Sequence, residues 1–194
     1  WYYMKDASNT TRVRLSTAGS SYFTGGNVGI GTSSVEANWL ASRTALQIGG
    51  VASIFGTTSA AAGGEFSIGQ NVYFHSGGSY KRIEADEASL YTQQNGVHNF
   101  RVTASSTADS NITFTDALII DNSARVAINN ASPSPVHTNY SSLQVGGQGL
   151  IMSHTAAGTD KSVYISNNAF PNVSDGGWDT IVADEAMLYE QHGG

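Results

Sequence analysis

Leu46-Gln47-Ile48-Gly49-Gly50 returns 97 positions later as Leu143-Gln144-Val145-Gly146-Gly147. A longer match follows in the same order, 98 positions apart: Ala85-Asp86-Glu87-Ala88-Ser89-Leu90-Tyr91-Thr92-Gln93 against Ala183-Asp184-Glu185-Ala186-Met187-Leu188-Tyr189-Glu190-Gln191. Two fainter echoes are Val28-Gly29-Ile30 with Val126-Ala127-Ile128, and Val72-Tyr73-Phe74 with Val163-Tyr164-Ile165. Self-similarity at a nearly fixed period is the mark of a repeat architecture, and small changes of spacing mark loop insertions. The 194 residues therefore divide into two tandem units, 1–97 and 98–194, read as two repeats of a longer array.

Around these anchors the apolar residues come in short bursts that alternate with polar ones, as half-buried strands do. Arg12–Leu15, Glu65–Ile68, Asn71–Phe74, Asn99–Val102 and Asn111–Phe114 all read this way, each about four residues long. Gly25-Gly26-Asn27, Gly63-Gly64, Ser76-Gly77-Gly78, Asn95-Gly96 and Asp175-Gly176-Gly177 separate them with residues suited to tight turns. The spacing predicts at most a turn or two of helix, over Val35–Ser42 with Ser34 as its N-cap. The fold class expected is all-β, built of short antiparallel strands.

Composition narrows the rest. Only 12% of residues are charged, while Gly, Ser, Thr and Asn fill 78 of the 194 positions, which excludes coiled coils and helical bundles. With 40% hydrophobic and 10% aromatic residues the chain has enough to bury a core, so it is not a disordered segment. There is no cysteine, so no disulfide or thiolate metal site can staple the fold. A net charge of −6, with Lys81-Arg82 the only adjacent basic pair, provides no stripe to neutralise phosphates, and nucleic acid is not an expected partner. Runs such as Ala117-Leu118-Ile119-Ile120 fall far short of a membrane-spanning helix, and no membrane insertion is expected. The chain opens at Trp1 with neither an initiator Met nor a signal segment, the expectation for a fragment or a processed product. Short strands joined by tight turns bury little surface per chain, so an elongated β-oligomer is expected.

The chemistry-bearing patterns are sparse. Gly25–Thr32 has the glycines of a phosphate loop but neither the third glycine of a dinucleotide fingerprint nor a P-loop Lys. It reads as a turn into a strand, and the second unit carries Ala127 and Asn129 where the first has glycines. The five histidines, at 75, 98, 137, 154 and 192, show no metal-ligand spacing, and no metal or cofactor is expected. The acidic pairs Asp86-Glu87 and Asp184-Glu185 read as turns before a strand, since neighbouring strand residues point to opposite faces. No Gly-x-Ser-x-Gly elbow is present, and catalytic residues are expected to be absent. Trp39, Tyr80, Tyr140 and Trp178, set among Gly, Ser and Asn, are the candidate glycan contacts, because sugar rings stack on such side chains. Tyr80 and Trp178 hold comparable places in the two units, which favours packing roles for them.

Asp116-Ala117-Leu118-Ile119-Ile120-Asp121-Asn122-Ser123-Ala124-Arg125-Val126-Ala127-Ile128-Asn129 resembles the recurring L-x-I-D-x-S-G-N-V-G-I-G-T segment of bacteriophage tail-fibre proteins. Asn27–Ser34 is similar to its second half, and Ala104–Phe114 and the Ala-Asp-Glu-Ala-x-Leu-Tyr element look like further parts of the same repeat. The resemblance implies an elongated, intertwined homotrimer, a β-rich shaft on the outside of a virion with receptor-binding tips. Its partners would be identical copies, other tail-fibre or virion proteins, and a bacterial surface glycan. Nothing in the chain resembles the self-cleaving chaperone that often follows such repeats, so no catalytic residue is carried over. Two further readings stay open. One is a polysaccharide depolymerase using Asp86, Glu87 or Glu65 between chains; the other is a capsid-decorating or extracellular filament fibre.

Overall fold

The computed structural model describes residues 2–158 and 162–192, and throughout them the chain is all β, without a helix. Contacts group it into two compact units, 1–88 with 104–112 and 89–103 with 113–194. The first unit carries β1 (Tyr2–Lys5), β2 (Thr11–Leu15), β3 (Tyr22–Phe23), β4 (Val28–Ile30), β5 (Arg43–Ile48), β6 (Ala52–Thr57), β7 (Glu65–Gln70), β8 (Tyr73–His75) and β9 (Ser79–Lys81). The second carries β10 (Ala88–Gln94), β11 (Val97–Thr103), β12 (Thr115–Ile120), β13 (Val126–Ile128), β14 (Tyr140–Val145), β15 (Gly149–His154), β16 (Ser162–Asn167), β17 (Ala169–Pro171), β18 (Trp178–Thr180) and β19 (Met187–His192).

In the first unit β1-β2-β3 make one small sheet and β4-β5-β6-β7 lie side by side in another, with β8-β9 a separate hairpin. In the second, β10 to β16 follow one another across a sheet that β19 completes, while β17-β18 is again a separate hairpin. Most neighbours are antiparallel, but β4 runs parallel to β5 and β13 parallel to β14. The expectation of antiparallel strands alone is corrected at these two places. A parallel step needs a crossover, and residues 31–42 and 129–139 supply it.

The helix expected over Val35–Ser42 does not form. Its backbone donors are taken by side chains: the Glu36 amide donates to Gln47 Oε1 (2.8 Å) and the Asn38 amide to Glu36 Oε1 (3.0 Å). Trp39 pairs with His75 as an isolated bridge, and Ser34 caps nothing. The expected strand Asn111–Phe114 is a single bridge, Asn111 with Lys81, beside an Ile112 amide bound to the Tyr80 carbonyl at 2.9 Å. The likeness of Val72-Tyr73-Phe74 to Val163-Tyr164-Ile165 is also corrected, because Tyr73 and Phe74 fall on β8, with Val72 just before it, and the other three on β16, strands in different positions. Strands reach seven residues in β10 and β11, whose hairpin turns at Asn95-Gly96 with φ of 52° and 76°. Both signs are positive, as the tightest hairpin turn requires.

The crossovers are fastened by glutamine. Gln47 accepts the Glu36 amide at 2.8 Å and donates to the Gly50 carbonyl at 3.1 Å. Gln144 accepts the Ser134 amide at 2.7 Å and donates to the Gly147 carbonyl at 2.9 Å. Gly49 and Gly146, at φ of 60° and 62°, turn the chain out of β5 and β14 while their amides reach back to Ile30 and Ile128. A Cβ on Gly29 would lie 2.6 Å from the Thr32 carbonyl, so the first crossover closes directly on β4. Each crossover then drops an apolar side chain onto the sheet. Trp39 packs on Phe55 and Tyr73 (ring centroids 5.0 and 5.9 Å apart), and Val136 joins Leu150, Met152 and Tyr164 in the core of the second unit.

Candidate functional site

Crossover and hairpin cover one face of each sheet, and the phase of the alternation decides what the other face shows. In β7 Glu65 and Ser67 are buried while Phe66 and Ile68 are exposed; in β16 Ser162, Tyr164 and Ser166 are buried while Val163 and Ile165 are exposed. Among larger covered residues such as Phe55 and Tyr164, serines stand where backbone lies close above the sheet. Ser53 Oγ donates to the Val72 carbonyl (2.8 Å) and Ser166 Oγ to the Ala169 carbonyl (2.7 Å).

The open side is a continuous apolar surface. Register aligns Val28, Leu46, Ile54 and Ile68 in one row across the first unit. Phe23, Val28, Ile30, Leu46, Ile54 and Phe66 line a groove of about 580 Å³ on it. In the second unit the row runs Val126, Leu143, Ile151, Ile165, Tyr189. Beside it runs Phe100, Leu118, Ile128, Val145. Ile151, Ile165 and Tyr189 are 44%, 48% and 57% exposed in the single chain. An uninterrupted row of half-exposed apolar residues is the surface expected of an interface.

The four candidate glycan contacts are not brought to one place. Trp39 is a core residue at 7% exposure. Tyr80, on β9, lies edge-on to Phe74 (4.7 Å) and donates its hydroxyl to Glu65 Oε1 at 2.7 Å. Tyr140, at the start of β14, packs on His154 (4.6 Å) and Tyr164 (5.7 Å). Trp178, on β18, rests on Tyr164 at 5.2 Å and is 41% exposed, so the second unit gathers Tyr140 and Trp178 around one buried tyrosine. Burial pushes the Tyr164 hydroxyl up to about 12, with Glu190 and Tyr140 adding to it and a hydrogen bond with Ser162 opposing.

The acidic residues are occupied by their own fold. Glu65 accepts from Ser67 Oγ (2.6 Å) and Tyr80 Oη (2.7 Å) and pairs with Arg43 (3.2 Å), whose guanidinium lies 4.6 Å from the centre of the Phe74 ring. Asp86 accepts the Glu87 amide at 2.9 Å and Asp184 the Glu185 amide at 2.8 Å, each inside the bend that precedes the next strand. Hydrogen bonds from the Glu87 side chain and amide hold the Asp86 carboxyl below the usual range. Histidine Nδ1 atoms accept local amides, His75 from Gly77 (2.9 Å), His137 from Asn139 (3.2 Å) and His154 from Ser162 (3.3 Å). His98 Nδ1 is bonded to the Tyr91 hydroxyl at 2.7 Å, and of His192 only the backbone is described. Among the described residues no three His, Asp or Glu side chains converge as metal ligands would.

No protein-family model, curated protein or solved structure matches this chain. Its own geometry carries the functional reading. The apolar rows escaped the sequence reading because alternation fixes a period and not a phase. One signal was present in the repeated segments themselves: Gln47 and Gln144 keep their place in Leu-Gln-[Ile/Val]-Gly-Gly, which fits an amide with a fixed buried task, and so places Leu46 and Ile48 outward.

Proposed function

We propose that this chain is a structural and adhesive segment of a bacteriophage tail fibre, acting without catalysis in host-surface attachment. Two tandem units, 1–97 and 98–194, repeat along an intertwined homotrimer on the outside of the virion. The observation that carries this reading is the open apolar row in each unit. A sheet with one face uncovered is completed by identical copies that present the same row, and the low charge of the chain keeps like charges from meeting around the axis. The count of three and the virion setting follow the likeness to tail-fibre repeats. Other fibre or virion proteins would join its ends, and weak contacts to surface glycan on each copy would add up through effective concentration. The occupied states of Glu65, Asp86 and Asp184 support a non-enzymatic role over a depolymerase.

The test is the mass of the purified chain by light scattering and on unheated detergent gels. A species near three times 20.3 kDa that resists detergent is the expected result. A monodisperse monomer overturns the proposal, and release of reducing ends from capsular polysaccharide overturns its non-enzymatic part.

A further inference from the structure

The second unit holds a polar cavity of about 300 Å³ on the covered side of β10–β12, opposite the row that contains Phe100. Thr92, Gln94, Asn99, Arg101, Asp116 and Pro133 line it. Asn99 is 5% exposed and its Nδ2 donates to Asp116 Oδ1 at 2.6 Å. That bond fixes which way the amide points, because the carboxylate cannot accept from the carbonyl oxygen. Asn99 Oδ1 is left buried without a partner. An orphaned buried acceptor is costly, and it marks a place where a donor from outside the chain is wanted.

The charges around it cancel. Arg101 Nε donates to the same Asp116 Oδ1 at 2.9 Å, and Asp121, on the cavity wall, is bound by Arg125 Nε at 2.6 Å. A pocket whose two acids each have an arginine holds no net charge with which to recruit a metal cation or a phosphate. What remains is the Asn99 Oδ1 acceptor, the outer guanidinium nitrogens of Arg101 and the Thr92 hydroxyl, next to the apolar surface of Val97, Ile119, Ala131 and Pro133. A hydroxyl group both donates to Asn99 Oδ1 and accepts from Arg101, and a sugar ring also presents a C–H face to the apolar wall. From this geometry we infer that the cavity binds one neutral saccharide unit, with Asn99 Oδ1 accepting a sugar hydroxyl. The site deepens the adhesive reading and rests on it in one respect: covering the Phe100 row in the assembly leaves this side turned outward.

The experiment is nuclear magnetic resonance of the full chain with ¹⁵N-labelled asparagine, titrated separately with glucose, galactose, mannose, N-acetylglucosamine, calcium chloride and sodium phosphate. The Asn99 side-chain resonance is expected to shift with at least one sugar, in the millimolar range, and with neither salt. Thr92→Val, which keeps the shape of the side chain, is expected to weaken that sugar roughly five-fold by removing one hydrogen-bonding group. No sugar-dependent shift at Asn99, or a shift with calcium or phosphate alone, overturns the inference whether or not the variant folds. Sedimentation of the same samples separates the two proposals: a monomer that binds sugar sinks the fibre reading and keeps the pocket, and a trimer that binds none does the reverse.

Discussion

Asn71 and Asn168 both stand at φ of 59°, a left-handed conformation that asparagine tolerates better than most residues. From there each side chain ties a distant loop by its main chain alone. Asn71 donates to the carbonyls of Glu84 (3.1 Å) and Glu87 (2.9 Å) and accepts the amides of Ile83 (3.1 Å) and Glu84 (2.7 Å). Asn168 donates to the carbonyls of Val182, Asp184 and Glu185, at 3.0 to 3.1 Å, and accepts the Val182 amide at 2.8 Å. Both are fully buried, so the partners of a truncated side chain have no water to turn to. Asn71→Ala is expected to lower stability by about 3 kcal/mol from lost bonds and backbone strain, and Asn71→Gly by about 1 kcal/mol less, because glycine removes only the strain. Thermal midpoints of the two variants check the difference, and equal losses would deny any strain at this residue. From the sequence Asn71 reads as the head of a strand, because nothing local distinguishes an asparagine that starts a strand from one that locks a loop 12 to 16 residues away.

At the scale of elements, short polar hairpins were legible and their fastenings were not. The alternating bursts at 12–15, 65–68 and 99–102 all fall within strands, since two-residue periodicity is a direct imprint of the pleat. The parallel steps into β5 and β14 were hidden because their crossovers are irregular, pinned by Gln47 and Gln144 instead of by a helix that would announce itself. The turn between β12 and β13 shows how such a loop responds to acid. Burial alone would raise the Asp121 carboxyl, but hydrogen bonds from the Arg125 side chain and amide and the Ser123 amide outweigh it and hold it below the usual range. A carboxyl depressed in the fold contributes stability that is present above its unfolded value near 3.8 and lost as the pH falls through the folded one. Protection of the Ser123 and Arg125 amides, measured against their intrinsic exchange rates, is therefore expected to fall as the pH drops below about 4, and Asp121→Asn to lower it already at neutral pH. Protection that persists unchanged in acid would show that the carboxylate does not hold the turn. Of the cavity, Asn99 and Arg101 were visible only as polar beats of an alternating strand; Asp116, far along the chain, gives them their roles.

For the whole molecule the all-β class was readable, while the side of each sheet that is left open was not. Ile165 is about half exposed in the single chain, so covering it recovers about 1 kcal/mol per copy, repeated along each row. Ile165→Glu or Ile68→Glu places a carboxylate in that row at no cost to the covered core. Either variant is expected to sediment as a folded monomer at concentrations where the parent associates, and an unchanged mass would move the interface elsewhere. Alkali tests the covered side. Tyr164 is raised in the fold from an unfolded value of 10.0 to about 12, so its contribution is full below pH 10.0 and lost as the pH climbs through the folded value. Tyr164→Phe is expected to remove that part of the alkaline melting, read as loss of one late-ionising phenol in a spectrophotometric titration. The asparagine clamps have an evolutionary side. Each closes the base of an excursion by gripping peptide groups, so it is indifferent to which side chains the excursion carries. β8 and β9, Tyr73-Phe74-His75 and Ser79-Tyr80-Lys81, share almost no residue with β17 and β18, Ala169-Phe170-Pro171 and Trp178-Asp179-Thr180, yet the clamps beneath them are alike. A socket of this kind holds one hairpin sequence as well as another, so the hairpin can be rewritten without rewriting the scaffold that holds it.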